Sequence, residues 1–215
     1  MASKFPQQPK RFELFDNDLD SKFTTLFSDA KALAVDTEAM GLQHGRDRLC
    51  LIQICDAEDN IACIKINLGQ KTAPNLKLLM ENPLIEKVFH FARFDVAALN
   101  CALDIRVSPI FCTKIASKIA RTYSPRHGLK EIIYELLGIE LDKQSQSSDW
   151  GTLEDLTEQQ LIYAANDVRY LLSAKTKLEH MLYREKRFEI AKKCFKCIPV
   201  IAELDILRFH QVFEH

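Results

Sequence analysis

Short apolar runs, each about the length of one buried β-strand, fill the first third of this chain and limit the folds open to it. Three of them are Ala32–Asp36, Leu49–Cys55 and Ile61–Ile66, and the polar residues 56–60 between the last two indicate a hairpin. A further strand is predicted at Phe12–Phe15. Because these runs are apolar with little alternation, they are typical of strands that lie inside a sheet with both faces covered.

The rest of the chain alternates between helical and strand-like segments. The predicted helices are Asp20–Asp29, Asn75–Glu81, Phe94–Ala102, Thr113–Arg121, Leu129–Leu137 and a long, interruptible stretch at Thr157–Arg187, and the further strands are Glu86–His90 and, at a sheet edge, Ile110–Cys112. Strands followed by helix–strand alternation favour an α/β fold with a mixed central β-sheet flanked by helices. We expect residues 1–215 to form one such domain, with residues 1–11 as a loose N-terminal segment.

Charge and cysteine content narrow the class of protein. The net charge is −1, which disfavours a protein that mainly grips long nucleic acid but is compatible with a carboxylate-rich metal site. The seven cysteines are odd in number and lie mostly in apolar segments, which indicates reduced thiols and a cytoplasmic location. The N-terminal residues lack the apolar core of a secretory signal, and no run approaches the ~18 apolar residues of a membrane span, so no membrane partner is expected.

Five residues at the ends of apolar segments, or inside them, could carry chemistry. Asp36 and Glu38 lie where a predicted strand ends and, being two apart, point to one face of it. Asp95 lies near the start of a helix, and Tyr163 and Asp167 lie four apart on one face of a mostly apolar helix. Each group also has an ordinary interpretation: a strand end frayed into solvent, a helix cap, or a packed helix face.

Taken together, the four carboxylates indicate a metal site. Mg²⁺ and Mn²⁺ prefer carboxylate oxygens, and the charge of two divalent ions would balance four carboxylates. Two-metal sites of this kind hydrolyse phosphodiester bonds by activating water and holding the leaving oxygen. We therefore expect two divalent metal ions, Mg²⁺ or Mn²⁺, as cofactors.

Three segments, in the right order, resemble the motifs of DEDD-type 3′→5′ exonucleases: VDTEAMGL, FHFARFDVAAL and YAANDVRYLL, the tyrosine being typical of the DEDDy branch. SDWGTLEDLTEQQLIYAANDV resembles the approach to the third motif in the RNase D-like family, and the resemblance covers roughly residues 30–182. It implies an RNase H-like exonuclease fold and a Tyr163 that orients the attacking water. By the same resemblance the metal ligands are Asp36, Glu38, Asp95 and Asp167.

Chain length points to one group within this family. RNase D carries two small helical domains after its exonuclease domain, but only about 30 residues follow the resemblance here, so no additional helical nucleic-acid-binding domain is expected. RLCLIQI, FCTKIASKIARTYSPRHGLKEI and KQSQSSDW resemble the compact nano-RNase C group more closely. That implies degradation of very short oligonucleotides, down to dinucleotides, by a homo-oligomer such as a ring-shaped octamer. Phe91 departs from the pattern, because many relatives carry Asn there.

Two segments could hold the substrate. Residues 113–130 contain several cations and no acid, and Lys114, Lys118 and Arg121 are spaced as one helical stripe that would grip phosphate or, alternatively, face solvent or another subunit. His127 and Lys130 are the predicted contacts to a terminal phosphate. Leu42 would, by resemblance, wedge against a terminal base; the alternative is an ordinary core residue. The predicted substrate-binding residues are Thr37, Met40, Gly41, Leu42, His90, Arg126, His127 and Lys130.

These features predict a two-metal 3′→5′ exoribonuclease that cuts short single-stranded RNA, or DNA, and releases nucleoside 5′-monophosphates. Three alternatives stay open at this point: a general RNA/DNA exonuclease acting on longer substrates, a catalytically silent nucleic-acid-binding module, and a metal-dependent phosphohydrolase acting on mononucleotides. The complete set of carboxylates argues against the silent module, which would be free to lose one of them.

Overall fold

Six strands form one mixed sheet at the centre of the protein. The computed structural model describes residues 9–141, 150–151, 156–209 and 212. The strands are β1 (Arg11–Asp16), β2 (Ala32–Ala39), β3 (Leu49–Cys55), β4 (Asn60–Lys65), β5 (Glu86–Phe89) and β6 (Ile110–Cys112). Their order in the sheet is β1-β4-β3-β2-β5-β6, which puts β6 at an edge as predicted. The pairs β2–β3 and β3–β4 are antiparallel, and the pairs β1–β4, β2–β5 and β5–β6 are parallel.

Eight helices in the described part of the chain surround this sheet. They are α1 (Ser21–Ser28), α2 (Pro74–Met80), α3 (Ala92–Leu103), α4 (Thr113–Ala120), α5 (Leu129–Leu137), α6 (Glu158–Arg169), α7 (Leu171–Arg184) and α8 (Phe188–Ile206). Every residue of β3 is buried, and successive side chains of a strand point to opposite faces, so both faces of the sheet centre are covered. The predicted mixed sheet flanked by helices is confirmed.

Local sequence signals explain where several helices begin and end. The side chain of Thr157 accepts a hydrogen bond from the Gln160 amide, and Gln160 bonds back to Thr157, which forms a capping box at the start of α6. Gly138 ends α5 in the left-handed conformation, with φ of 71°. The predicted stretch Thr157–Arg187 is interrupted at Tyr170, which separates α6 from α7.

The C-terminal helix α8 was not anticipated from the sequence. It has 19 residues and contains Pro199, a residue that usually signals the end of a helix. The helix packs beside α3 and β6, where the rings of Phe195 and Phe111 lie 4.6 Å apart. It therefore closes one side of the core next to the edge strand.

The cysteines are free thiols, and those of the sheet are buried. Cys50, Cys55, Cys63 and Cys112 are buried, whereas Cys101 and Cys197 are exposed. Burial raises the pKa of the Cys63 thiol to about 12. Among the helices that the structure describes, none is both long and apolar enough to cross a membrane.

Candidate active site

Strand β2 carries two of the predicted acids at its C-terminal end. Asp36 pairs with Gln53 and Glu38 with Leu51 of the antiparallel neighbour β3. The register shifts between Glu38 and Ala39, so the ladder becomes irregular directly after the second acid. The strand runs three residues further than the predicted Ala32–Asp36, and for that reason both carboxylates stand on rigid sheet rather than on a frayed end.

Three carboxylates from two elements converge. One ligand oxygen from each of Asp36, Glu38 and Asp167 lies within 4.8 Å of the others, Asp167 coming from α6. Asp95, in the first turn of α3, is buried, and its Oδ1 accepts a 2.7 Å hydrogen bond from the Thr37 hydroxyl. Thr37, predicted as a substrate contact, thus orients one of the acids.

The acids suppress one another's ionisation. Burial, followed by the charges of Asp167 and Asp95, raises the pKa of Glu38 to about 8. Burial also raises the pKa of Asp95 to about 7 and that of Asp167 to about 6. The pKa of Asp36 is raised well above its ordinary value by burial and then by Asp95, Glu38 and Asp167. Buried, mutually repelling carboxylates are what a hard divalent cation would neutralise, so the donor set fits Mg²⁺ or Mn²⁺.

Tyr163 lies one helical turn before Asp167 on α6, and the two side chains are near enough to affect each other's pKa. Burial and the neighbouring Asp167 raise the pKa of the Tyr163 hydroxyl, so it stays protonated and can donate. Trp150, which is buried, packs with its ring centroid 6.4 Å from that of Tyr163. On another side, the Lys130 ammonium lies 6.0 Å from the Tyr163 ring centroid. The residues predicted from four separate segments are therefore brought to one place.

The predicted basic stripe does not form as expected. Arg121 is fully buried: its Nη1 donates to Ser117 Oγ at 2.8 Å and to the Arg126 carbonyl at 2.7 Å, and its other nitrogens bond to Glu135. Because α4 ends at Ala120, Arg121 leaves the helical spacing and turns inward. Arg121 is thus a structural residue of the 121–128 loop, and its prediction as a phosphate-gripping residue is wrong.

Both histidines of this region lie against hydroxyl groups of α4. Nδ1 of His127 lies 2.9 Å from the Ser117 hydroxyl, and Nδ1 of His90 lies 2.9 Å from the Thr113 hydroxyl. Burial and then Lys114 lower the pKa of His90 to about 3. The Ser117 hydroxyl also accepts a hydrogen bond from the Arg121 guanidinium, so it links His127 to that buried arginine.

The loop after β2 exposes its apolar residues. Leu42 is 83% exposed and Met40 is 60% exposed, so the interpretation of Leu42 as an ordinary core residue is wrong. A Cβ on Gly41 would come within 2.3 Å of Asp47 Oδ2, which explains the glycine at that position. This loop, which follows the strand that carries Asp36 and Glu38, therefore presents two apolar side chains to solvent.

Two further residues near the site were not singled out from the sequence as functional. Gln53, fully buried opposite Asp36, has no hydrogen-bond partner for its amide within the described residues; the signal was a polar residue in the otherwise apolar LCLIQIC run. Phe91 adopts a left-handed conformation with φ of 72°, unusual for an aromatic residue, and Lys114 Nζ lies 4.2 Å from its ring centroid. Asn, which many relatives carry there, tolerates that conformation more easily.

A mixed sheet with half-buried and buried acids gathered at the end of its central strand defines the RNase H-like class of nucleases that need divalent metal ions. The chain belongs to the 3′-5′ exonuclease family, whose model matches residues 13–183. It is 31% identical to ribonuclease D of Bartonella henselae over 170 residues, which is 79% of this chain and 41% of that protein. The chain thus spans about two fifths of the length of that curated relative.

Solved structures of a compact exonuclease match nearly the whole chain. Brucella melitensis NrnC bound to pGG is 45% identical, with a TM-score of 0.89, and the match covers 95% of this chain and 98% of that one. The same protein with bound Mg²⁺ is 44% identical, also with a TM-score of 0.89, over 95% and 99% of the two chains. NrnC is nano-RNase C, so the sequence-based resemblance to that group and the predicted RNase H-like fold are confirmed.

Proposed function

We propose that this protein is a two-metal 3′→5′ exoribonuclease that degrades short oligonucleotides, down to dinucleotides, to nucleoside 5′-monophosphates. The observation that carries the proposal is the convergence of Asp36, Glu38 and Asp167 within 4.8 Å, with Asp95 beside them. Two divalent ions held by these four acids would supply an activated water and charge neutralisation at the phosphate.

The side chains around the acids support this chemistry. Tyr163, whose hydroxyl stays protonated beside Asp167, would orient the water that attacks phosphorus. In the reaction the new P–O bond forms to water, the bond from phosphorus to the 3′ oxygen of the preceding nucleotide breaks, and that oxygen leaves as a hydroxyl. The terminal nucleotide departs with its phosphate on the 5′ carbon.

Several features favour short substrates. Leu42 stands exposed on the loop that follows β2, which also carries Met40 and Gly41, and would wedge against a base. His127, whose ring is held at the Ser117 hydroxyl and which is flanked by Arg126, would contact a terminal phosphate through Nε2. The net charge of −1 supplies no continuous basic track for a long strand. The structure of NrnC with pGG shows that a relative of this shape binds such a ligand.

Assembly and location complete the proposal. We propose a homo-oligomer, with a ring-shaped octamer as the form to test by light scattering. The free thiols, four of them buried, fit the reducing cytoplasm, which we propose as the location.

A labelled-substrate assay tests the function. With Mn²⁺ or Mg²⁺, 5′-labelled RNA should be shortened one nucleotide at a time from its 3′ end, and the Asp36→Asn variant should leave it intact. A silent binding module would shift the RNA in a gel without cutting it, and a mononucleotide phosphohydrolase would release inorganic phosphate from nucleoside monophosphates. Either result would replace the proposal.

Substrate length is tested by kcat/KM for a dinucleotide, a short oligomer and a long single strand. The dinucleotide with a 5′ phosphate should be cut most efficiently. Loss of that phosphate should cost one charge-assisted contact, about 1.5–3 kcal/mol, or roughly tenfold to a hundredfold. His127→Ala should remove most of this difference. If the long strand is cut best and the variant weakens all substrates alike, the protein is a general exonuclease acting on longer RNA or DNA.

A further inference from the structure

The side-chain ammonium of Lys130 is buried and has no hydrogen-bond partner in the described part of the chain. Lys130 is the second residue of α5, and its Nζ is shielded from solvent. A lysine in the first turn of a helix opposes the helix dipole, so helix stability does not explain its position. A buried ammonium without partners is costly, and such a group in a native protein calls for an explanation.

The same fold satisfies another buried lysine completely. Lys87 is also buried, and its Nζ donates to the backbone carbonyls of Asn82 at 2.8 Å, Ile85 at 2.5 Å and Ser108 at 2.5 Å. These hydrogen bonds connect β5 to the segments that precede β5 and β6, and they use all three donors of the ammonium. Unlike Lys87, the Lys130 ammonium uses none of its three donors within the described residues, so all three are available to hydrogen-bond a ligand.

The neighbours of Lys130 identify the place where that ligand would lie. Its Nζ is 6.0 Å from the ring centroid of Tyr163, and its positive charge acts on Asp167, whose pKa it helps to lower against the effect of burial. Lys130 thus lies beside Tyr163, near enough to Asp167 for its charge to act on that carboxylate. Its ammonium can approach the phosphate that is cut more readily than a phosphate at the far end of the substrate.

The net charge of the proposed site becomes negative during the reaction, so a positively charged side chain would stabilise it. Four carboxylates and two divalent ions sum to zero. The scissile phosphodiester adds one negative charge, and attack by a water that has lost a proton adds a second in the transition state. A fixed positive charge in a water-poor site is most effective there, because it needs no reorganisation as the negative charge grows.

We infer that Lys130 is a catalytic residue that contacts the phosphate being cleaved and stabilises its transition state. This rests on the proposed function, because it assumes phosphodiester hydrolysis at the carboxylates. The ammonium donates hydrogen bonds to a non-bridging phosphate oxygen while the P–O bond to water forms and the P–O bond to the leaving group breaks. It neither gains nor loses a proton in this step.

The test uses a substrate that has only the scissile phosphate. The p-nitrophenyl ester of thymidine 5′-monophosphate has no second nucleotide and no terminal phosphate, and its hydrolysis releases coloured nitrophenolate. Lys130→Met should lower kcat for this ester, at saturating Mn²⁺, by about a hundredfold, the loss typical of one oxyanion donor. Lys130→Arg, which keeps the charge, should recover part of that loss. Lys177→Met, at an exposed lysine of α7, is the matched control and should behave as wild type.

Three results would overturn the inference. If Lys130→Met hydrolyses the ester normally but loses discrimination for a 5′-phosphorylated dinucleotide, the ammonium binds the far phosphate. If the loss of kcat appears only at limiting Mn²⁺ and is absent at saturating Mn²⁺, Lys130 serves only to neutralise the empty carboxylates. If both variants lose activity together with their cooperative melting transition, Lys130 is structural. Inactivity of the wild-type protein on both RNA and the ester would instead reject the proposed function itself.

Discussion

The Tyr163 hydroxyl can be removed with the packing of the site almost unchanged. In Tyr163→Phe the ring keeps its place beside Trp150, and only the hydroxyl near Asp167 is lost. We expect kcat to fall by about 10²–10⁴, the usual scale for a positioned proton-transfer group, while the melting temperature and the KM for a dinucleotide change little.

Steady-state kinetics on the dinucleotide and thermal melting of the same preparation make this measurement. Trp150→Phe serves as the companion variant, because it alters the packing of Tyr163 and keeps its hydroxyl. Near-normal turnover of Tyr163→Phe would make Tyr163 a core residue that shares a helix face with a metal ligand.

At the level of elements, Arg121 joins the end of α4 to α5 and to the loop between them. Its guanidinium bonds to Ser117, the Arg126 carbonyl and Glu135. Arg121→Met should destabilise the protein by about 3 kcal/mol, the lower end for a broken buried pair, since Glu135 keeps some access to water. Urea unfolding measures this, and Lys118→Met, at an exposed lysine of the same helix, should change the free energy of unfolding by less than about 0.5 kcal/mol. Equal effects of the two substitutions would contradict a structural role for Arg121.

Arg121 also shows where sequence reasoning reached its limit. The apolar runs that form β2, β3 and β4 are continuous in the sequence, so those strands and the acids of β2 could be predicted from the sequence alone. The spacing of Lys114, Lys118 and Arg121 gives a common helix face only while the helix continues, and α4 ends one residue before Arg121. Its inward turn depends on Glu135, a partner 14 residues away, which no local pattern reveals.

Helix α8 was missed for a related reason. Pro199 lies inside it, and a proline in a helical pattern is ordinarily taken as a stop. Here the rest of the helix is held by packing against α3 and β6, including the contact of Phe195 with Phe111. Tertiary packing thus outweighs a local preference that costs ~3 kcal/mol.

For the whole molecule, the raised pKa values of the acids predict how stability depends on pH. In the unfolded chain carboxyl groups titrate near pH 4, whereas the folded pKa of Glu38 is about 8 and that of Asp95 about 7. Between about pH 4 and pH 8 the folded protein therefore binds more protons than the unfolded chain does. The free energy of unfolding of the metal-free protein should for that reason fall as pH rises toward 8. A measurement from pH 7.0 to 8.5 leaves out most of the contribution of His90, because His90 titrates below this range in both states. Its folded pKa is lowered to about 3, and its unfolded pKa is near 6.5.

Divalent ions should cancel this loss. Mg²⁺ or Mn²⁺ binds the ionised acids of the folded state, so the rise in melting temperature on adding metal should be larger at pH 8.5 than at pH 7.0. Calorimetry with and without chelator measures both effects. Asp36→Asn, with one charge fewer, should be more stable than wild type without metal and gain less from it. A metal-free protein that becomes more stable across this window would contradict the electrostatic description of the site.

The buried thiols of the sheet can react only when the sheet unfolds, so their rate of alkylation reports the rate of unfolding. Cys50, Cys55 and Cys63 lie on the neighbouring inner strands β3 and β4, and burial raises the pKa of Cys63 to about 12, so an alkylating reagent meets neither an accessible nor an ionised sulfur. Exposed Cys101 and Cys197 should react at once, and the sheet thiols only as fast as the sheet unfolds. Mass spectrometry during alkylation would then time unfolding site by site. Because β2 carries the acids and pairs with β3, metal should slow labelling of Cys50 and Cys55 while Cys101 and Cys197 react at their unchanged rate.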